Sequence, residues 1–226
     1  MSLFYRHEHT SAPRLRPGGE TSDAPSYTIG LSIGPPSDTT GLVVVETTER
    51  PESAGPAAAP WSHAVRHLRR FPPGSGYREI VADVQAILVN LIGERTVVLD
   101  VTGVGVPIAD LFTWREAWTR RYRLTAGETL ASGPDTRIPR QDAAARLQIV
   151  LQEQRLAIAA GPLAEELARD LRTFSPKPAA GPASELAWRE RPSDDLVLAL
   201  ALALVVADQP PVEVHFVPFR RPRVAF

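Results

Sequence analysis

Apolar and polar residues alternate with a period of two over Tyr27–Ile33, and Gly41–Glu46 carries a more continuous apolar run. These patterns predict two strands, joined by the turn Gly34-Pro35-Pro36-Ser37-Asp38. His63–Phe71 predicts a third strand with a cationic outer face of Arg66, His67, Arg69 and Arg70. The period then lengthens. Apolar residues at 80, 81, 84, 87, 88, 91 and 92 predict a helix from Tyr77 to Ile92, followed by a strand over 96–101. Further along, the pattern predicts a helix from about 107 to 120, a short strand around Tyr122–Thr125, and an amphipathic helix over Arg140–Gln154. A brief strand or turn at Arg155–Ile158 and a helix over 162–172 come next. The last element, Asp194 to about Ala207, is a nearly unbroken apolar run, which predicts a helix buried on all sides.

Around these elements the chain is rich in Pro, Gly and Ala. Residues 1–25 read as a flexible arm and 50–60 as a low-complexity loop. Residues 174–192 read as a hairpin excursion, and 209–226 as a tail in which Val212–Val217 alternates. The expected domain is therefore 26–208. Three antiparallel strands followed by alternating helix and strand is the element order of a ribonuclease H-like α/β fold, with a mixed central sheet flanked by helices. In that topology the tips of the first and fourth strands and the start of the last helix converge on one face.

Chemistry-bearing residues fall at those places. The strand Val97-Val98-Leu99 ends in Asp100, ahead of the turn Val101-Thr102-Gly103-Val104-Gly105, and the buried helix opens on Asp194 and Asp195. A strand-tip carboxylate facing two carboxylates at a helix start can form an acidic cage for Mg²⁺ or Mn²⁺, which prefer oxygen ligands. Two such ions, about 3.5–4 Å apart, activate water and stabilise the leaving oxygen in phosphodiester hydrolysis. Each residue also has a plainer reading. Asp194 and Asp195 suit a helix N-terminus, where carboxylates meet the dipole, and Asp100 suits the end of a strand. Arg66, Arg69 and Arg70 fit either a phosphate track or a solvated strand face. The four tryptophans are expected to pack.

Composition narrows the classes. A net charge of −1 excludes a globally basic nucleic-acid glove but not a local patch. No cysteine means no disulfide, thiolate metal site or thiol nucleophile. The start of the chain lacks an apolar signal-peptide core, and the longest apolar run is too short to span a bilayer, so a cytoplasmic location is expected.

The segments Leu99-Asp-Val-Thr-Gly-Val-Gly-Val-Pro-Ile108, His67-Leu-Arg-Arg-Phe71, Leu147–Ile158 and Arg189-Glu-Arg-Pro-Ser-Asp-Asp-Leu-Val-Leu-Ala-Leu-Ala201 together resemble the nuclease domain of bacteriophage large terminase subunits. The resemblance runs from residue 27 to 207. It implies a two-metal endonuclease that cuts double-stranded viral DNA during packaging in a phage-infected bacterial cell. Asp100, Asp194 and Asp195 would be catalytic ligands, and Asp38 would stand at a second family acid. The implied partners are a separate ATPase motor and portal or small terminase proteins, since the chain holds no Gly-x-x-x-x-Gly-Lys-[Ser/Thr] motif. Arg140 stands near a family lysine and would touch DNA backbone. One departure matters: the family's first-strand Asp, which bridges the ions, is Ser32 here. Two readings follow, an endonuclease weakened or silenced at Ser32, and a non-catalytic DNA-binding or packaging-assembly module that retains the fold.

Overall fold

Eight strands form one mixed sheet with helices on both faces in the computed structural model. It describes residues 25–50, 61–102, 104, 106–114, 117–125, 130–132, 135–174 and 194–209. The strands are β1 (Ser26–Ser32), β2 (Thr40–Glu49), β3 (Trp61–Phe71), β4 (Glu94–Asp100), β5 (Trp118–Thr125), β6 (Leu130–Ser132), β7 (Asp135–Pro139) and β8 (Leu156–Ile158). The helices are α1 (Tyr77–Asn90), α2 (Val106–Ala109), α3 (Arg140–Gln152), α4 (Pro162–Thr173) and α5 (Asp195–Ala207). The sheet order is β6-β7-β5-β4-β1-β2-β3-β8, and Ser22–Asp208 form one compact unit. The hairpin expected at 174–192, apart from Phe174, and the tail beyond 209 lie outside the described residues, as does the arm apart from Pro25.

β1, β2 and β3 pair antiparallel as a meander, while β4 lies parallel to β1 and continues into parallel β5 and β7. Central strands are apolar on both sides because both sheet faces are covered. In β2, Val43 and Val45 face α5 and α3, whereas Leu42 and Val44 face α1. In β4, Val98 faces the first layer, and Val97 and Leu99 face the second. Helix α5 is buried along nearly its whole length, and only Val205 is part-exposed. No helix among the described residues is long and apolar enough to cross a membrane.

Two sequence expectations are corrected here. The helix expected over 107–120 is a single turn, Val106–Ala109, and the chain is already strand at Trp118. The apolar spacing that suggested a helix belongs to core contacts: Phe112 and Trp114 are buried and meet edge to face, with ring centroids 6.1 Å apart. Residues 118–122 are claimed by β4, whose open edge needs backbone partners, in the register Thr96↔Trp118 to Asp100↔Tyr122. Trp118 is itself 70% exposed, so not every tryptophan packs.

The second correction concerns the cationic face of β3. Its register with β2 shifts between Val44 and Val45, so that Val44 pairs with His67, Val45 pairs with Val65, and Arg66 is the extra residue of a bulge. The bulge inverts the alternation. His63 and Val65 face the α5 side before it, and Leu68 and Arg70 face that side after it, which sends Arg69 and Phe71 to the α1 side. The arginines are therefore divided between the two faces of the sheet.

Candidate functional site

The parallel register places Ser32 beside Asp100, the antiparallel register places Gly41 beside Ser32, and Arg70 stands opposite Gly41. One row, Asp100–Ser32–Gly41–Arg70, thus crosses four strands at one end of the sheet. The first turn of α5 rests on this row. A Cβ built on Gly41 would lie 2.6 Å from the Asp195 carbonyl carbon, so only glycine lets the helix come this close. All the sequence-predicted acids of strand tip and helix start therefore lie at one end of the fold.

Within that row the charges separate. Asp100 is fully buried, and its carboxylate is met by hydroxyls and an amide. Ser32 Oγ donates to Oδ2 at 3.3 Å, and the Thr102 N–H donates to Oδ1 at 3.0 Å. Thr102 Oγ1 donates to the same oxygen at 2.5 Å. The Leu124 N–H in turn donates to Thr102 Oγ1 at 2.8 Å, which ties the Asp100 turn to β5.

Asp195, also fully buried, meets Arg70 of β3. Arg70 Nε donates to its two carboxylate oxygens at 3.1 and 3.0 Å. The same guanidinium meets Glu166 at 2.5 Å and Asp170 at 3.7 Å, one helical turn apart on α4. Burial works against the Arg70 charge, but Asp195 and Glu166 outweigh it and hold its pKa above the ordinary value. Burial, reinforced by Asp195 and Glu166, raises the Asp170 carboxyl despite Arg70. Asp195 is thereby tied to β3, which stands at the opposite end of this four-strand row from Asp100. Asp194 is mostly buried at the N-cap of α5 and makes no side-chain capping hydrogen bond.

The remaining predicted residues have separate settings. Asp38 is half-buried in the β1–β2 turn, where its Oδ1 accepts the Thr39 N–H at 2.7 Å. Arg66 pairs with Glu46 at 2.6 Å, and Arg69 pairs with Asp83 at 2.7 Å while lying over the Phe71 ring. Arg140 opens α3, half-buried. Among the described residues no three His, Cys, Asp or Glu side chains converge where they would hold a metal ion. The donors present do not fit the expected two-ion cage. The bridging position holds a neutral hydroxyl, and one of the three expected carboxylates is committed to an arginine.

Sequence reasoning missed a second polar cluster at the other end of α5. Asp208 accepts from His63 Nε2 at 3.1 Å, from Arg146 at 3.2 Å and from both Nη atoms of Arg155. Thr47 meets His63 Nδ1 at 3.0 Å. Burial alone would raise the Asp208 carboxyl, but His63 and Arg155 outweigh it and hold it well below the usual carboxylate range. The signal in sequence was only an aspartate ending an apolar helix, since its partners lie 145 and 53 residues away.

No protein-family profile matches the chain, and no curated protein matches it. Solved structures do. The human cytomegalovirus terminase nuclease domain, soaked with Mn, aligns at 13% identity and TM-score 0.51, covering 81% of this chain and 84% of that one. The large terminase nuclease from thermophilic phage G20c aligns at 20% identity and TM-score 0.48, covering 80% and 82%. At these identities the likeness is one of fold. The three-strand meander, the parallel extension and the buried helix closing over the strand tips form the ribonuclease H-like fold of terminase nuclease domains.

Proposed function

We propose that this chain is a terminase-type nuclease fold whose metal centre has been dismantled, and that it serves DNA packaging by binding double-stranded DNA or assembling with packaging components. The observation that carries this reading is the Ser32–Asp100 hydrogen bond of 3.3 Å, a hydroxyl at the register position where a carboxylate would bridge two ions. A serine hydroxyl carries no charge, and divalent affinity at an oxygen site depends on carboxylate count. Both side chains that donate to Asp100 here, Ser32 and Thr102, are neutral.

The reading makes a prediction at Ser32. In Ser32→Asp, two buried carboxylates stand about one strand spacing (about 4.8 Å) apart and repel. The metal-free variant is expected to melt below the wild type, and Mn²⁺ at about 100 times its Kd should restore roughly 2.7 kcal/mol of stability. Wild-type protein should show neither an Mn²⁺-dependent rise in Tm nor nicking of supercoiled plasmid. Wild-type nicking that disappears in Asp100→Asn would sink the proposal in favour of a working endonuclease. A Ser32→Asp protein indifferent to Mn²⁺ would show instead that the acidic residues are purely structural.

A further inference from the structure

We propose that the DNA-contacting surface lies on Arg123 and Arg137 of β5 and β7, and not on the arginines of β3. The inference rests on the DNA-binding reading above and assigns it a surface.

The β3 arginines are neutralised within the fold. Arg66, Arg69 and Arg70 each meet at least one carboxylate, and Arg70 meets three. A phosphate approaching them would have to displace those partners.

The other side of the Asp100 turn differs. β4, β5 and β7 run parallel, so their carboxyl ends lie along one edge, where open α/β sheets present ligand-binding loops. Arg123 and Arg137 are register partners near that edge. Parallel register partners share a face, and Ile138, the neighbour of Arg137, is buried in the opposite layer with α3 and α5. Both arginines are thus directed to the face away from α5. Arg123 Nη1 approaches the Val101 carbonyl at 3.5 Å, immediately after Asp100, so the pair adjoins the strand tip itself.

Like charges directly opposite in a sheet are destabilising, and a bound anion would offset that cost. The local carboxylates do not cover it. Asp135 is shared between Arg123 at 2.9 Å and Arg121 at 2.8 Å, and Asp110 goes to Arg121 at 2.6 Å. Arg137 is exposed, and its side chain has no hydrogen bond or ion pair among the described residues. Guanidinium groups match phosphate geometry with paired donors. From the Asp100 strand to β7 is two strand spacings, about 10 Å. At 3.4 Å of helix rise per nucleotide this spans roughly three phosphodiester steps. A duplex backbone laid along the edge would therefore meet Arg123 and Arg137 while passing the Asp100 turn.

The test is binding of a fluorescein-labelled 30-bp duplex, followed by anisotropy from 50 to 300 mM salt. The proteins are wild type, Arg137→Gln, and Arg78→Gln, which removes the same charge from an exposed position on α1. Loss of one phosphate contact lowers the slope of log K against log salt by about 0.9, or roughly eightfold in affinity at 0.1 M. Arg137→Gln should show that loss, with a melting temperature no lower than that of wild type, and Arg78→Gln should stay within about twofold of wild type in affinity. If wild type binds DNA and Arg137→Gln matches it in affinity and slope, the surface assignment is wrong and the DNA-binding reading stands. If wild type binds no DNA at 50 mM salt, the reading and the surface fall together. Equal losses in both variants would mean diffuse attraction and would also overturn the assignment.

Discussion

Gly30→Ala is expected to be a strongly destabilising single-methyl change. A Cβ at that position would stand 2.1 Å from the Ala199 carbonyl oxygen and 3.1 Å from the Ala203 Cβ. The obstacle is helix backbone, which has no rotamer to change. Helix α5 would have to retreat by roughly an ångström, and it is the element that both β1 and β2 pack beneath. Overpacking of a tight core typically costs about 1–3 kcal/mol, and a backbone clash belongs at the top of that range or beyond it. For a domain of this size about 3 kcal/mol is a fall in Tm of roughly 6–12 °C. Gly76→Ala is the control: nothing lies within 4 Å of its Cβ and its φ is −70°. Its cost should stay below about 1 kcal/mol. Thermal melts of the two variants decide the matter, and a Gly30→Ala protein as stable as wild type would mean that α5 does not press on β1 as described.

The second large effect is expected at the far end of α5. Asp208→Asn leaves Arg155, 3% exposed, without its principal counter-charge. Breaking a buried ion pair from one side costs about 3–5 kcal/mol when the remaining charge is left alone. Glu153, 2.6 Å from the Arg155 guanidinium, stays paired with it, so the cost belongs at the low end of that range. Arg146→Gln removes a partner whose side chain is 39% exposed and should cost less than about 1 kcal/mol. The cluster also predicts a pH dependence. The Asp208 carboxyl is held below its ordinary value in the folded state, so it binds a proton less readily there than in the unfolded chain. Its contribution is fully present above the unfolded value near 4 and is lost as pH falls below it. Wild-type stability should therefore decline from about pH 4 downward, and the Asp208→Asn protein should show a shallower acid decline over the same window. Parallel acid slopes in urea titrations would show that Asp208 is not the group concerned.

Much of this architecture was legible in local pattern. Strands β1 and β2 read from their apolar runs, α1 from its period, and α5 from an apolar run too continuous for a half-exposed helix. The placement of Asp100 at a strand tip and of Asp194 and Asp195 at the start of α5 followed from the same boundaries. β5 was shortened in sequence because residues 107–118 hold apolar side chains at helix-like spacing. Their real constraint is non-local, since Phe112 and Trp114 fill the layer beneath β4 while β4 recruits the next segment as a strand. The short strands β6 and β7 carry too few residues for any period to register.

The candidate site divides along the same line. Hydrophobic periodicity placed Asp100 at a strand tip and Asp194 and Asp195 at a helix start, the ribonuclease H-like element order implied that these places converge, and the resemblance to terminase nuclease domains singled out Ser32. Only the tertiary structure decided what each charge does there. A bulge at Arg66 turns Arg70, and not Arg69, toward α5. Arg70 then pairs with Asp195, and the neutral Ser32 and Thr102 donate to Asp100. Strand register and ion pairing join residues 125 and 68 positions apart, and no local pattern carries that information. Periodicity reports which side of an element is buried, whereas charge chemistry depends on which distant side chain arrives within about 3 Å of it.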